Sequence, residues 1–454
     1  MSQTTIAAIS TPAGPGAVSM VRLSGPDAIS VATKIFRSSG KNLERCEGYR
    51  GMLGKVYDGD HPLDEAVAFL YRAPKSYTGE DVVELCCHGG GYPAGQILRL
   101  CLGAGAVPAG PGEFTKRAYL NGKMDLSAAE AVMDLVGAQG KTAMRAALAA
   151  KEGALGGKVK DISARLTEWS AHIAAWCDYP EEDLAPVDAA ALETSLGTLL
   201  EEIDQLLTGY DQGKILRQGV RVAILGRPNV GKSTLMNLLT GQDTSIVTQN
   251  PGTTRDMVRE QVSIAGLTVN LLDTAGIRHT DDLAEAQGVT RSLAQLERAD
   301  LILAVFDASQ PLDENDRQLI GQLAGKNTVI IANKSDLPPK IDAEEIAKCL
   351  PKPIKISAAT GQGQGLLEEA VLAALHLKEI DPAAALIANE RQRQCLLEAQ
   401  GALKEAHQAL ESGLTLDAVG VCLDFALNHL LTLTGERATE AVIDQVFARF
   451  CVGK

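Results

Sequence analysis

Along residues 217–378, short apolar runs alternate with amphipathic stretches. The runs fall at 220–225, 262–265, 267–272, 301–306, 329–332 and 354–356. Runs of this length between helical periods predict buried strands in a mostly parallel sheet covered by helices. Ala265-Gly266 lies between the second and third runs and suits a tight turn, so that pair is the expected antiparallel exception. The flanks read differently. Residues 1–118 are rich in Gly and Pro, with β-like runs at 16–23 and 66–71, which predicts a mixed α+β unit with much loop. Residues 119–215 and 379–454 are Ala- and Leu-rich with a helical period. Leu396, Ala399, Leu403, Ala406 and Leu410 trace one apolar stripe, and Gly413 reads as its stop. In the first helical flank an acidic run at 178–183, containing Pro180 and followed by Pro186, separates two helices. The expected organisation is an N-terminal domain at 1–118 and one helical domain made from 119–215 and 379–454. An α/β domain at 216–378 is inserted into it. No internal repeat interrupts this reading.

A length of 454 residues is consistent with this count, since a domain averages roughly 150 residues. Apolar residues make up 45% and charged residues 22%, which excludes a disordered or collagen-like chain. The formal net charge of −14 excludes a generally basic surface, so nucleic-acid contact must come from a local patch or a partner. The nine cysteines are odd in number and include no C-x-x-C pair, which argues against a disulfide framework or zinc site. No basic n-region follows Met1, and no uninterrupted apolar run approaches about 18 residues. The expectation is a cytoplasmic protein without a membrane span.

The chemistry is concentrated in the α/β region. Gly226-Arg227-Pro228-Asn229-Val230-Gly231-Lys232-Ser233 is a G-x-x-x-x-G-K-[ST] loop between a buried strand and a helix, with Thr234 in the helix's first turn. Its backbone N–H groups suit phosphate oxygens, Lys232 suits the β- and γ-phosphates, and the Ser233 hydroxyl suits Mg²⁺. Asp273-Thr274-Ala275-Gly276 follows the third strand. There Asp273 would bind Mg²⁺ through water and the Gly276 N–H would sense the γ-phosphate. Asn333-Lys334-Ser335-Asp336 follows the fifth strand, and the Asp336 carboxylate matches guanine N1–H and N2–H₂, a donor pair that adenine lacks. Ser357-Ala358-Ala359 would place a backbone N–H near guanine O6. Four motifs in this order, each at a strand's carboxyl end, indicate a guanine-nucleotide-binding domain. Thr253-Thr254-Arg255-Asp256 occupies the place of a switch loop, with Thr254 the favoured second Mg²⁺ ligand.

The hydrolytic machinery departs from a common pattern. The position after D-x-x-G, where many GTPases carry a water-orienting Gln, is Ile277. An apolar side chain cannot polarise water. Asp281, Asp282 and Glu285 in the following loop are the acidic candidates, against the plainer reading of a solvated acidic loop. No cis arginine finger is evident, so another cation must offset charge at the β–γ bridge.

With these residues assembled, the chain resembles the MnmE (TrmE) family of tRNA-modification GTPases over essentially its whole length. The resemblance is carried by Thr11-Pro12-Ala13-Gly14-Pro15-Gly16 with Val21-Arg22-Leu23-Ser24-Gly25, by 76–84 with His88-Gly89-Gly90, by Pro111-Gly112-Glu113-Phe114 and 117–126, and by the ending Phe450-Cys451-Val452-Gly453-Lys454. Pro15, Ala13, Ala17 and Asn250-Pro251 depart from the usual pattern, which touches loop detail only. The resemblance implies an N-terminal domain that dimerises and binds 5-formyltetrahydrofolate or methylenetetrahydrofolate, with Arg22, Glu84, Lys123 and Lys454 as contacts. It implies K⁺ as the missing cation, held by Asn229, Thr248, Asn250 and Thr253, where Thr248 and Thr253 also border the nucleotide. Glu285 takes the place of the family's catalytic acid. Cys451 takes the place of a cysteine implicated in the modification, beside the Lys454 cation, or else only packs in the tail.

The activity so implied is K⁺-dependent GTP hydrolysis coupled, with the FAD-binding partner MnmG in a heterotetramer, to modification of the tRNA wobble uridine at carbon 5. An aminomethyl or carboxymethylaminomethyl group would be built from a folate one-carbon unit and nitrogen from glycine or ammonium. The alternative is a GTP-switched ribosome-assembly factor, which would carry a GXXG nucleic-acid loop or a basic tail. A vestigial GTPase serving a folate module is a third reading, which the intact Lys232, Ser233, Asp273 and Asp336 disfavour.

Overall fold

Strand alternation sets the geometry of both compact units in this computed structural model, which describes residues 4–38, 42–138, 140–179, 185–240, 260–272, 298–378 and 381–454. The first unit comprises Met1–Met133, Gly156–Thr194 and Glu398–Lys454. Its sheet contains β1 (Ile6–Ile9), β2 (Val18–Ser24), β3 (Phe36–Ser38), β4 (Arg50–Asp58), β5 (His61–Tyr71), β6 (Val82–His88) and β7 (Val107–Pro108). The spatial order is β3-β4-β5-β6-β2-β1-β7, and every pairing except β1 with β7 is antiparallel. Successive side chains point to opposite faces. Val21, Leu23, Ala68, Leu70, Val83 and Leu85 therefore enter one core, under helices Ala28–Ile35 and Gly91–Gly103. The intervening Arg22 and Glu84 are sent to the other face, where Ile6 and Ala8 pack on Phe114 of helix Glu113–Leu120.

The helical part of this unit is closed by apolar stripes. Leu126, Ala129 and Val132 pack with Ile443, Phe447 and Phe450 in one cluster. On helix Glu390–Glu411, Leu396, Ala399, Leu403 and Ala406 of the expected stripe are buried, and the chain turns at Gly413 with φ of 69°. Helix Leu416–Thr434 is long and apolar enough, by length and composition alone, to cross a membrane, a property the run-by-run reading did not single out. Val419, Leu423, Ala426, Leu427, Leu430 and Leu433 are buried within the fold, while Val421 and Phe425 of the same helix are exposed.

The second unit comprises Asp134–Leu155 and Ser195–Leu397. Its strands are β8 (Val220–Leu225), β9 (Glu260–Ile264), β10 (Leu267–Leu271), β11 (Leu301–Asp307), β12 (Thr328–Asn333) and β13 (Ile354–Lys355). The order is β13-β12-β11-β8-β10-β9, parallel except for β9 with β10. Val222, Ile224, Leu303, Val305 and Ile331 face a core with helices Lys232–Thr240 and Gln364–Ala374. Ala223, Leu225, Ile302, Ala304, Phe306 and Ile330 face another, with helix Glu314–Leu323. Burial on both faces explains why these strands read as continuous apolar runs. β8 lies between β10 and β11, so the chain runs to opposite sides there and leaves a crevice at the strands' carboxyl ends.

The β9–β10 turn gives a direct test of the local reading. Ala265 and Gly266 have φ of 53° and 76°, the left-handed pair that a two-residue hairpin of type I′ needs. A non-glycine residue there costs on the order of 1 kcal/mol, least for Asn. Ala265→Asn is expected to raise the urea midpoint of this unit, by about 0.5 kcal/mol or more in stability. An unchanged or lowered midpoint would count against the turn assignment.

Candidate functional site

The crevice at the end of β8 is built by close backbone approach. Gly226 follows the strand, and a Cβ there would run into the Val305 carbonyl of β11. Gly231 has φ of 97°, and its Cβ would strike the Asn333 carboxamide. Asn229 between them is also left-handed, with φ of 64°. These three positions curl the loop so that it enters helix Lys232–Thr240 with N–H groups facing the crevice. The Lys232 ammonium donates to the Gly226 carbonyl at 2.6 Å and the Arg227 carbonyl at 2.7 Å. Its burial pushes the amine below the ordinary lysine range. Val230 is buried, while Ser233 and Thr234 lie exposed in the first helical turn.

The far end of the crevice is tied to the near end by one side chain. Asn333 ends β12 and is only 2% exposed. Its Nδ2 donates to the Val230 carbonyl at 2.8 Å, and its Oδ1 accepts from the Ala358 N–H at 2.9 Å. Lys334, with φ of 63°, donates to Asp307 Oδ2 at 2.6 Å. Burial pushes the Asp307 carboxyl up, but hydrogen bonds from Lys334 and Ser309 outweigh it and hold the group below the usual range. The Ser335 N–H bonds the Ile356 carbonyl, which leaves Asp336 exposed at the crevice rim. Ser357 is fully buried, its N–H given to Gln362, and Ala359 is exposed at the same turn.

The structure thus brings Asn229, Val230, Gly231, Lys232, Ser233 and Thr234 together with Asn333, Lys334, Asp336, Ser357, Ala358 and Ala359 around the crevice. Thr248, Asn250, Thr253, Thr254, Asp273, Thr274, Ala275, Gly276 and Glu285 lie outside the described residues. Ser233 is therefore the described member of the expected Mg²⁺ set, and Asn229 that of the K⁺ set.

A second constellation sits in the first unit. Arg22 and Glu84 are register partners on β2 and β6, and Arg22 Nε donates to Glu84 Oε1 at 2.8 Å. The Arg22 guanidinium lies 5.9 Å from the Tyr77 ring centre and 5.6 Å from that of Phe114. Residues 451–454 are stitched beside it. The Gly112 N–H bonds the Cys451 carbonyl and the Phe114 N–H bonds the Lys454 carbonyl. The Gly453 carbonyl accepts from Ser10 at 3.1 Å and from Arg22 at 3.4 Å. Gly453 has φ of 95°, and a Cβ would meet the Ile9 carbonyl, so only glycine fits. Arg22, Glu84 and the Lys454 backbone are therefore neighbours. Lys123 instead donates to the Pro74 carbonyl at 3.0 Å. The Cys451 residue is exposed.

Motif reading missed two things here. Tyr77 and Phe114 flank Arg22, but nothing in their local sequence marks them as a site. Arg117 is 3% exposed and bonds Glu80, Glu113 and the Thr4 carbonyl, bracing helix Glu113–Leu120. Its i,i+4 spacing from Glu113 was the available signal.

Comparison with known proteins adds an independent line. A family model described as MnmE helical domain matches residues 126–451, and one described as GTP-binding protein TrmE N-terminus matches residues 5–123. A protein of Thermotoga maritima named tRNA modification GTPase MnmE is 41% identical over 454 residues, covering 99% of this chain and 100% of its own. The protein of that name from Bacillus subtilis is 40% identical over 458 residues, again covering 99% and 100%. Among solved structures, the FeoB G-domain from Methanococcus jannaschii is 27% identical, with a TM-score of 0.25, covering 35% of this chain and 98% of its own.

Asn333 is the side chain whose loss should be felt most. Asn333→Ala leaves the Val230 carbonyl and Ala358 N–H without their partner, at about 1–3 kcal/mol for each orphaned buried group. Guanine-nucleotide affinity, measured by titration with a fluorescent GDP, is expected to fall at least about tenfold, the equivalent of about 1.4 kcal/mol. Wild-type affinity would show that the loops hold their places without the bridge.

Proposed function

This chain belongs to the MnmE family, is a GTPase involved in tRNA modification, and from that premise we propose the finer chemistry of its two constellations. The observation that carries the proposal is the docking of the Cys451–Lys454 tail beside the Arg22–Glu84 pair, in a chain that also holds a complete described phosphate loop. It supports a modification site distinct from the nucleotide site. The proposed division is a folate-binding domain at 1–118, a helical domain from 119–215 and 379–454, and a GTPase domain at 216–378.

In the nucleotide crevice the loop N–H groups and Lys232 would hold the β- and γ-phosphates, and the Ser233 hydroxyl, with Thr254 and, through water, Asp273, would hold Mg²⁺. Thr274, Ala275 and Gly276 would border the γ-phosphate. Asp336 accepts from guanine N1–H and N2–H₂, and the 357–359 turn meets O6. Glu285 orients the attacking water, a role Ile277 cannot fill. Asn229, Thr248, Asn250 and Thr253 would hold K⁺, which would supply the positive charge that offsets developing charge on the phosphates. The donor chemistry fits at the one described position, since the left-handed Asn229 is exposed in the loop with a carboxamide oxygen.

In the sheet unit, Arg22 suits a folate carboxylate or ring oxygen, and Glu84 suits a pterin N–H face. Lys454 and Lys123 would add cations. A bound folate supplies a one-carbon unit. The residues fit such a group in charge, and Tyr77 and Phe114 add flat apolar faces beside Arg22. The chain acts as a homodimer with the FAD-binding partner MnmG on tRNA in the cytoplasm. Its charge of −14 is compatible with tRNA as substrate if MnmG supplies much of the basic surface.

Two experiments test this reading. GTP turnover is expected to be much faster in K⁺ than in Na⁺ at equal ionic strength, and Glu285→Ala to abolish it while GTP still binds. Equal rates in the two salts would remove K⁺ from the scheme. Cys451→Ser is expected to leave GTP turnover intact and to abolish wobble-uridine modification with MnmG, read by mass spectrometry of tRNA nucleosides. Full modification would reduce Cys451 to a packing residue.

A further inference from the structure

We propose that Arg227 is a positioning residue for GTP hydrolysis: its clamped guanidinium fixes the peptide carbonyl that aims the Lys232 ammonium at the phosphates. The loop motif leaves position 227 free, so sequence alone gives it no role. In the structure it is held at both ends. Its carbonyl accepts from Lys232 at 2.7 Å. Its Nη1 donates to Asp313 Oδ2 at 2.7 Å and its Nη2 to Gln310 Oε1 at 3.0 Å, with Nε 3.5 Å from Asp316 Oδ2. The side chain is 16% exposed.

The acceptors are rigid for a reason independent of Arg227. Asp313 caps helix Glu314–Leu323, and Asp313 and Asp316 form a reciprocal capping box through each other's backbone N–H. Both carboxylates are therefore fixed by the helix end. Asp316 is 2% exposed, and its Oδ1 has no hydrogen-bond partner among the described residues. Burial holds its carboxyl above the usual range, against the pull of the Asp313 N–H and Arg227. A capping box alone does not need a carboxylate this deeply buried. A buried, half-satisfied charge lowers stability, so its presence calls for another account. Holding the first variable residue of the phosphate loop is that account.

The clamp matters because of what neighbours it. Gly226 precedes Arg227, and a glycine does little by its own chemistry to fix the next peptide. Phosphoryl transfer in such loops is mostly positioning and electrostatics, and a misplacement of about 1 Å can cost on the order of 100-fold. The segment carrying the clamp also starts at Asp307, which holds Lys334 at 2.6 Å. One segment, 307–316, thus supports the phosphate end through Arg227 and the base end through Lys334. This inference rests on the GTPase activity alone and is independent of K⁺ and folate.

The test compares Arg227→Ala and Arg227→Lys with the wild type, using kcat and KM for GTP and the ³¹P spectrum of bound GDP. The lysine keeps the charge but cannot span Gln310 and Asp313 together. Arg227→Ala is expected to lower kcat at least about tenfold with KM changed far less, and to move the β-phosphate resonance. Arg227→Lys is expected to fall between it and the wild type in both readouts. Where Arg227→Ala proves too unstable to assay, Arg227→Lys decides by the same two measurements. Wild-type kcat, or a loss of kcat with an unmoved β-phosphate resonance, overturns the proposal.

Discussion

One buried carboxamide, that of Asn333, joins two loops that reach the nucleotide crevice from different strands. Its donor holds the phosphate loop at Val230 and its acceptor holds the base loop at Ala358. Neither loop has a regular hydrogen-bond ladder of its own at that point. Each is placed by the sheet only up to its last strand residue. Beyond that, the 2.8 and 2.9 Å contacts of this side chain tie one loop directly to the other. The residue that opens the Asn333–Asp336 motif is, in this structure, a brace for the site's shape. Asp336, proposed above to read the base, is exposed on the adjoining turn.

The same logic runs through the rest of the crevice. Glycines allow the loop its curl, and side chains remote from the phosphates take that freedom away again. Gly226 and Gly231 admit the Val305 carbonyl and the Asn333 carboxamide where no Cβ would fit. Lys232 spends its hydrogen bonds on two loop carbonyls, with its amine held below the ordinary lysine range by burial. A charge preset in this way reorganises little when substrate arrives, which is the condition for strong electrostatic stabilisation of a transition state.

How much of this was legible follows from how local each signal is. The inserted α/β sheet was readable because its strands are buried on both faces, so each is a continuous apolar run. Even the antiparallel exception at Ala265-Gly266 carried its own turn chemistry. The first sheet was legible only in part. β2 and β5 lie where β-like runs occur, but β4, RGMLGKVYD, buries only Met52 and Val56 and so has no clean alternation. β6 was read as a motif for its Glu and His instead of as a strand. The phosphate loop and base loop were legible as motifs because their chemistry is contiguous in sequence. Asn333's brace, the aromatic faces beside Arg22 and the Arg227 clamp were not. Each joins residues far apart in the chain, and no local pattern encodes a partner some 80 or 100 residues away.

That distance is greatest at the tail, and it constrains how the second site forms. Ser10 and Gly453, bonded at 3.1 Å, are 443 positions apart. Arg22 and Glu84 can pair as soon as β6 returns to lie in register beside β2 in the same sheet. The Gly453 carbonyl, the Lys454 carbonyl on Phe114 and the Cys451 carbonyl on Gly112 arrive only after hundreds of further residues. Closing so long a loop costs entropy that grows only slowly with length, so the tail need not be bound tightly by any one contact. Several small contacts suffice, and here they are two backbone bonds, the Ser10 and Arg22 side chains on the Gly453 carbonyl, a strand-like bridge between Pro111 and Val452, and a glycine seat against Ile9. The sheet thus presents an ion pair that is complete without the tail, and a site that is not. Any chemistry that uses Arg22, Glu84 and residues 451–454 together is available only to a chain whose two distant segments have met.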